Sequence, residues 1–561
     1  MKKKTILILS ISIVSVLLIF LGSSYAMFAK TEQALKNNEY TTGILQITYN
    51  DTGSLDIGKL PLSDTDGKKT TPYTFTIKNT GNIDYQFDLK LVTDTTYVNT
   101  HGCANNQVPS NYIKVMLGDN GTPVLLSSLT NSIIAKKQII AAGETRTYNL
   151  RLWLDTTTPN SVIGTHFHGK ITTDGEAVYT EEGEEPNAPA LAEGMIPIKW
   201  NGTTWVKADS TNKNNDWYNY SNKEWANAVM VSSGTRDSYM SDTTKAVGSE
   251  VLESDILAYY VWIPRYKYRL FNVNSESIDP IEIQVLFESK DTTKSTGSTN
   301  GDWLTHPAFT FGTDELSGIW VGKFTTTGTA SAPTIKPAAT SIRSQTISAL
   351  FSASQSFNTD TYLTSNGTSG TDSHMMKNTE WGAVTYLKQS KYGLGLTEIA
   401  QNAHRLGKAG CGPVSETDLT SQTTTCTSYT STAGIMSSTT GNVTGVYDMK
   451  GGFGKKYTMG VIKTSDGTGL TYSNSGFTTS TLPLGSKYVD AYTFGTSASD
   501  YTRRILGDAT GETRGWYSNI ASFISSSTPW FLRGGGGFYF MGDAGGGNNS
   551  FGTSHTVLTT K

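Results

Sequence analysis

Thr528-Pro-Trp-Phe-Leu-Arg-Gly-Gly-Gly-Gly-Phe-Tyr-Phe-Met-Gly-Asp543, running on through Gly545-Gly-Gly-Asn-Asn-Ser550, is the stretch on which the reading of this chain turns. Glycine inside such a run costs backbone entropy, and Phe538-Tyr539-Phe540 has the composition of a strand, so the segment is a poor helix. Two short strands are expected, Trp530 to Arg533 and Phe538 to Met541, with glycines that let the backbone bend or approach another segment closely. Aromatic side chains on a Gly/Asn/Ser-rich surface also suit a binding face, because they offer large contact area at low entropic cost. Asp543, Asn548 and Asn549 carry oxygen donors of the kind calcium takes; solvated loop residues are the competing reading.

The surrounding chain narrows the choice. At 561 residues it is too long for one core, and several domains are expected. The net charge is −3, with 17% charged residues, which lacks the electrostatic footprint of a nucleic-acid binder. Abundant Thr, Ser, Gly, Asn and Tyr favour β-structure with many turns. Three cysteines suit an exported protein that relies on its cores.

Lys2-Lys3-Lys4, an apolar run from Thr5 to Gly22 and Ser23-Ser-Tyr-Ala26 form a secretory signal with cleavage expected after Ala26. An uncleaved anchor is the alternative, since the run is just long enough to span a bilayer. Both place the bulk of the chain outside the cytoplasm, secreted or at the cell surface.

From Met27 to about Tyr179 the segments 43–49, 73–78, 85–92, 112–117 and 147–154 alternate apolar and polar residues. They read as strands of a β-sandwich or jelly roll, with 165–171 as a further candidate. His166 and His168 fall at strand spacing on one face, and His101 lies near Cys103, so a metal site is conceivable; polar strand-face histidines account for the same residues. Glu181-Glu-Gly-Glu-Glu-Pro-Asn-Ala-Pro189 reads as an acidic linker, placed at 181–194.

Ile196-Pro-Ile-Lys-Trp200 and Thr203-Thr-Trp-Val-Lys207 around Asn201-Gly202 read as a hairpin with a two-residue type I′ turn. In Ser254 to Leu270, Arg265, Lys267 and Arg269 alternate with Tyr266, Tyr268 and Leu270. Such alternation can bind single-stranded nucleic acid, but a half-buried strand with a solvated face is favoured in a chain of this charge. Segments 346–351 and 376–387 are the expected helices; in the second, Trp381, Val384 and Leu387 recur at near-helical spacing, with Asn378 or Thr379 as N-cap. Asp64-Thr-Asp-Gly67 begins like a calcium loop, but Lys68 occupies the fifth position, where an oxygen ligand belongs, and a turn is expected.

Two resemblances extend this reading. The signal segment, Ala26-Met-Phe28, Gly43-Ile-Leu-Gln-Ile47 and Thr76-Ile-Lys-Asn-Thr-Gly-Asn82 resemble the TasA/camelysin family of Gram-positive secreted proteins over roughly the first 180 residues. Some members assemble into extracellular fibres by donating an N-terminal strand. Camelysins have been classed as metallopeptidases, but this chain has no His-Glu-x-x-His helix, and a protease is rejected.

Gly318-Ile-Trp-Val-Gly-Lys-Phe324, Asn378-Thr-Glu-Trp381, Gly441-Asn-Val-Thr-Gly-Val-Tyr-Asp-Met-Lys-Gly451 and Trp530-Phe-Leu-Arg-Gly-Gly535 resemble the formylglycine-generating-enzyme-like branch of the C-type lectin fold. That resemblance implies a module over 195–561, with a β-rich sub-domain at 195–300 as a further division. The fold expected is therefore mainly β, an N-terminal β-sandwich followed by an α+β, C-type-lectin-like module. Asp448 is expected to organise its loop by accepting backbone N–H bonds, and Trp530 and Arg533 to stabilise the closing strand.

The family's enzymes hold copper with two thiolates in the C-terminal part of the fold. This chain has no cysteine after Cys426, Phe453-Gly-Lys-Lys456 stands where Trp-Glu usually follows, and the terminal strand lacks the common Arg. Cys411 and Cys426 are read as a disulfide closing a loop, worth ~3 kcal/mol on the chain-entropy model; ligation of Cu(I) by this pair is the alternative. Cys103 is then left over. No Walker loop, Gly-x-Ser-x-Gly or Cys-x-x-Cys zinc pattern occurs, so no catalytic residue, metal or cofactor is assigned.

The function expected is non-enzymatic binding or adhesion at a cell surface, toward a protein or glycan on another cell or surface, with no nucleic-acid partner. The membrane is met only through the signal segment. Ligand contacts are expected from Gly536, Gly537, Phe538, Asp543, Asn548, Asn549, Trp516 and Tyr517. The alternatives are a fibre or biofilm-matrix subunit polymerising by strand donation, and a divergent oxidase-like enzyme. Variable proteins of diversity-generating retroelements are similar to this branch of the fold, which implies a hypervariable face between Trp516 and Phe551.

Overall fold

The structure, a computed structural model, describes residues 26–28, 43–45, 47–51, 60–80, 84–100, 106–119, 121–141, 143–162, 165–178, 184–211, 217–364, 370–452, 456–463, 469–472, 475–482, 485–518, 522–534, 544–547 and 553–560. It is mainly β, with several antiparallel sheets, and the chain divides into two compact units, 1–181 and 182–561. Residues 1–25 of the signal segment, His101 and Cys103 lie outside the described residues.

In the first unit β1 (Ala26–Phe28) pairs with β2 (Gly43–Leu45). A five-stranded antiparallel sheet follows the order β3 (Ile47–Asp51), β4 (Tyr73–Asn79), β9 (Thr145–Leu154), β6 (Ile113–Leu117), β7 (Val124–Leu125). A three-stranded sheet follows the order β10 (Gly169–Val178), β5 (Asp84–Thr93), β8 (Ile133–Ile140). Both sheets feed one core: Phe75, Ile77, Ile113, Val115, Leu150 and Leu152 from the larger, Phe87, Leu89, Leu91 and Ile140 from the smaller. Along β5 every second residue is buried, the period that alternating polar and apolar side chains impose on a strand with one face in a core. Each of these side chains contributes about 1.5–3 kcal/mol by leaving water.

β8 is absent from the sequence reading because exposed Lys136 and Lys137 interrupt its apolar pattern. Its register against β5 also shifts twice, with Lys137 at φ +47°. The candidate strand 165–171 begins only at Gly169; the rings of His166 and His168 meet edge to face at 4.8 Å ahead of it. Asp64–Gly67 forms a single helical turn capped by Ser63.

The second unit is built on a seven-stranded antiparallel sheet. Its order is β12 (Trp205–Lys207), β11 (Met195–Trp200), β13 (Asn227–Val231), β14 (Ile256–Pro264), β20 (Gly318–Gly322), β28 (Thr556–Thr559), β23 (Asp372–Met375). Beside it are a three-stranded sheet of β16 (Val285–Phe287), β15 (Tyr266–Arg269) and β17 (Trp303–Thr305), and two small hairpins, β18 (Thr310–Phe311) with β19 (Asp314–Glu315) and β21 (Thr327–Thr329) with β22 (Ala332–Thr334). A four-stranded sheet runs β25 (Asp490–Tyr492), β24 (Lys456–Ile462), β26 (Trp530–Arg533), β27 (Ala544–Gly547), in which β24 and β25 are parallel. Residues of the acidic stretch are bonded into this unit: Asn187 and Ala190 offer their carbonyls to the buried indole N–H groups of Trp262 (3.0 Å) and Trp320 (2.7 Å).

Three sequence expectations change here. The 195–207 hairpin turns through four residues, because Trp200 pairs with Trp205; Asn201 Oδ1 accepts from the N–H groups of Thr203 and Thr204 and closes the loop itself. The 254–270 strand is two strands in different sheets. Pro264 cannot donate to a ladder, and the chain crosses over at Arg265, which is fully buried rather than solvated. Arg265 ion-pairs with Glu288 (3.0 Å) and Glu315 (2.7 Å), the pairing that makes a buried guanidinium tolerable. A helix at Ser233–Met240, unexpected from its Ser/Gly/Thr composition, buries only Arg236 and Tyr239.

The helices Ile347–Gln355 and Asn378–Lys388 are present. The second is buried on every side, and its N-cap is Lys377 rather than Asn378 or Thr379. Glu380 Oε2 accepts from the Lys377 N–H (2.7 Å) as a local capping box, and Asp490, from β25, accepts from the Thr379 N–H (2.7 Å), so one distant carboxylate satisfies a further donor of the first turn. Gly382 lets this helix meet the Gly507 carbonyl: a Cβ there would lie 1.8 Å from that oxygen.

Candidate ligand-binding site

β26 carries the stretch on which the fold reading rested, and its position follows from what its side chains bond. Trp530 and Arg533 are both fully buried. Arg533 donates to Ala509 O (2.7 Å), Asp508 O (3.2 Å) and Asn378 Oδ1 (3.3 Å), and its guanidinium lies over the Trp381 ring at 5.8 Å. Both residues hold the strand in place and offer no surface to a ligand.

One residue on, Gly534 is clamped from two sides. Lys456 Nζ donates to its carbonyl (3.4 Å) and to that of Gly451, while a Cβ on Gly534 (φ +58°) would lie 2.3 Å from Met449 O. Burial lowers the Lys456 ammonium to about 8, with Asp448 opposing.

The loop that Gly534 rests on is organised by Asp448. Its Oδ2 accepts from the Thr325 N–H (3.0 Å), Oδ1 accepts from Asn402 Nδ2 (2.7 Å), and the Gly410 N–H reaches both oxygens at 2.9 Å. Three distant segments are thereby tied to one carboxylate, at a residue in the left-handed region (φ +60°). His555 donates from Nε2 to Tyr447 O (3.1 Å); burial lowers it to about 4, so it is neutral, and its Nδ1 has no hydrogen-bond partner among the described residues.

A second buried network stands behind Arg533. Glu512 accepts from Tyr268 (3.0 Å), Tyr386 (2.8 Å) and the Gly507 N–H (2.6 Å), yet burial outweighs these bonds and raises it to about 7. Asp508 is raised by burial while accepting from Thr510, Tyr492 and the Ile505 N–H. His306, lowered by burial to about 3, donates from Nε2 to Gly507 O (2.9 Å) and accepts at Nδ1 from the Ala308 N–H. All three groups are at most 0% exposed, so these shifts describe a framework rather than groups presented to solvent. In the sequence, Gly507-Asp-Ala-Thr-Gly-Glu512 is marked only by two carboxylates that each lie beside a glycine.

The expected contact residues separate. Gly536, Gly537, Phe538, Asp543, Asn548 and Asn549 lie outside the described residues. Trp516 is fully buried and stacked on Phe271 at 5.5 Å, which corrects its assignment to a contact face. Tyr517 is half-buried, donates to Leu396 O (2.9 Å) and accepts from Gln389 (3.0 Å), with Lys388 Nζ 5.8 Å from its ring. Burial lowers that lysine to about 7. Gln389 caps the far end of the helix whose first residue, Asn378, meets Arg533; an 11-residue helix is ~16 Å long, so Tyr517 and β26 mark opposite ends.

Cys411 and Cys426 form a disulfide, with Cα atoms 5.0 Å apart. Such a bond is consistent with an extracellular setting. Among the described residues no helix is long and apolar enough to cross a membrane. No family model matches the chain, and no curated protein matches it.

Proposed function

We propose that this is an exported, non-enzymatic binding protein whose second unit, read as a C-type-lectin-like module, presents a ligand face on the loops around β27, and whose first unit is a TasA-like β-sandwich. The observation that carries the reading is the anchoring of the chain on both sides of those loops. Gly534 is clamped to the Asp448 loop, β27 pairs with β26 from Trp530↔Gly547 to Arg533↔Ala544, and β28 lies inside the central sheet. The described residues on either side of positions 535–543 and 548–552 are therefore held in the fold, and binding residues concentrate on segments that a rigid scaffold positions. Their sequence supplies Phe538, Tyr539, Asp543, Asn548 and Asn549, aromatic contact area with adaptable hydrogen bonding.

The test is a glycan and protein array probed with wild type and with Phe538→Ala/Tyr539→Ala/Asn549→Ala. Loss of the wild-type hits in the variant, with unchanged thermal unfolding, supports the reading. Identical hits for both proteins place the binding face elsewhere. A fibre subunit is the second reading, favoured by β3, which sits at the edge of its sheet and pairs with β4 alone among the described strands. Deletion of residues 27–40 abolishes assembly under that reading and leaves array binding intact under the first.

A further inference from the structure

Lys323 is the residue after β20, and Asn227 opens β13, the strands on either side of β14. The two side chains meet across β14: Lys323 is 0% and Asn227 1% exposed, and Lys323 Nζ donates to Asn227 Oδ1 at 2.9 Å. The other donors of Nζ go to the carbonyls of Val443 and Gly445 (3.0 Å). The rings of Trp205 and Tyr447 close over it at 5.1 and 5.4 Å. The Asn227 amide is oriented as well, since Nδ2 donates to Trp225 O (2.9 Å) and Thr444 O (2.7 Å), which turns its carbonyl toward the lysine.

A buried ammonium is ordinarily matched by a carboxylate. Lys323 instead faces an amide and two peptide carbonyls, and burial alone holds it well below the ordinary lysine range. An amine whose hold on its proton burial weakens, enclosed by aromatic rings and held against a side-chain amide, has the reactants of an aminolysis in place, and fixed proximity is a large contribution to such a step. Water, the competing nucleophile for an asparagine amide, is kept out by the same rings.

We propose that the folded protein forms an intramolecular amide cross-link between Lys323 Nζ and Asn227 Cγ. The Nζ lone pair attacks Cγ, the Nζ–Cγ bond forms and the Cγ–Nδ2 bond breaks. The lysine ammonium sheds two protons in all, and the departing nitrogen takes up both and leaves as ammonium. No electron transfer and no co-reactant are involved. The carbonyls of Trp225 and Thr444, already bonded to Nδ2, accept from the departing group. The product is a covalent strap over β14 that ties β13 to β20 at the middle of the central sheet, and it does not depend on the ligand-binding reading.

The test is mass spectrometry on the full chain, purified natively, denatured and reduced. The expected wild-type result is a mass lower than the sequence of the purified chain by one ammonia. Trypsin then fails to cut after Lys323, and the peptide containing Asn227 is recovered joined to the one containing Lys323. Lys323→Met and Asn227→Ala each restore the full sequence mass. Wild type at its full sequence mass, with both peptides recovered separately, overturns the proposal; because this reading is made on wild type, it stands even where a variant fails to fold.

Discussion

Asp448→Asn isolates the bonding of one carboxylate. Asparagine keeps the shape and tolerates the left-handed backbone that Asp448 adopts at φ +60°, so the change acts through hydrogen bonds. Both carboxylate oxygens face donors: the N–H of Thr325 and of Gly410 at Oδ2, Asn402 Nδ2 and the Gly410 N–H at Oδ1. Wherever the new amide nitrogen points, it meets an N–H that cannot accept from it. At least one buried donor is left unsatisfied, at about 1–3 kcal/mol, and the remaining bonds lose their charge assistance, at about 1 kcal/mol more. The expected loss is about 2–4 kcal/mol. Urea unfolding followed by tryptophan fluorescence reads it as a lower midpoint at unchanged slope. Amide hydrogen exchange adds a local readout, with faster exchange expected at Thr325 and Gly410. A loss below about 1 kcal/mol, or unchanged exchange at both amides, refutes the hub role of this carboxylate.

The remaining expectations concern single interactions. His374 is buried between Glu380 (3.0 Å) and Asp372 (3.5 Å), with Lys377 near Glu380 and Lys487 and Tyr488 on Asp372. Burial works against its charge, but Glu380 and Asp372 prevail and raise it above 6.5, while Glu380, despite burial, is lowered below 4.5 by His374 and Lys377. The histidine's contribution is full below 6.5 and fades as pH rises through its folded value; the glutamate's is full above 4.5 and fades as pH falls through its own. His374→Gln therefore costs more stability at about pH 5.5 than at about pH 9, measured by urea titration at both; an equal cost contradicts a charged His374. Glu512, raised from 4.5 to about 7, withdraws stability as pH climbs through that interval, so Glu512→Gln gains on wild type between acid and alkaline pH by something on the order of 3 kcal/mol. A pH-independent difference between the two proteins contradicts this. Gly382→Ala, which in an open helix gains up to about 1 kcal/mol, should here lose about 3 kcal/mol against the Gly507 carbonyl, and a raised melting temperature rules that contact out. Cys411→Ser with Cys426→Ser should lose about 3 kcal/mol, and equal denaturation midpoints would show the loop to be held by other contacts.

Much of this protein was legible residue by residue. The alternation in β4, β5 and β9 specifies half-buried strands because a pleated backbone turns successive side chains to opposite faces. The spacing of Trp381, Val384 and Leu387 specifies a helix for the corresponding reason, and the pairing of Cys411 with Cys426 is the one expected of a chain with few thiols if it is exported. What lay beyond the sequence depends on groups that meet only after folding. Arg265 reads as a solvated strand residue until Glu288 and Glu315 arrive to neutralise it. Trp516 reads as a contact residue until Phe271 covers it. In the first turn of the buried helix the Thr379 N–H finds its acceptor in Asp490, 111 residues away. Periodicity is a property of the backbone repeat and is written in neighbouring positions; the burial of a charge is decided by the free energy of its partners, and Thr325, 123 residues from Asp448, belongs to that carboxylate only in the tertiary structure.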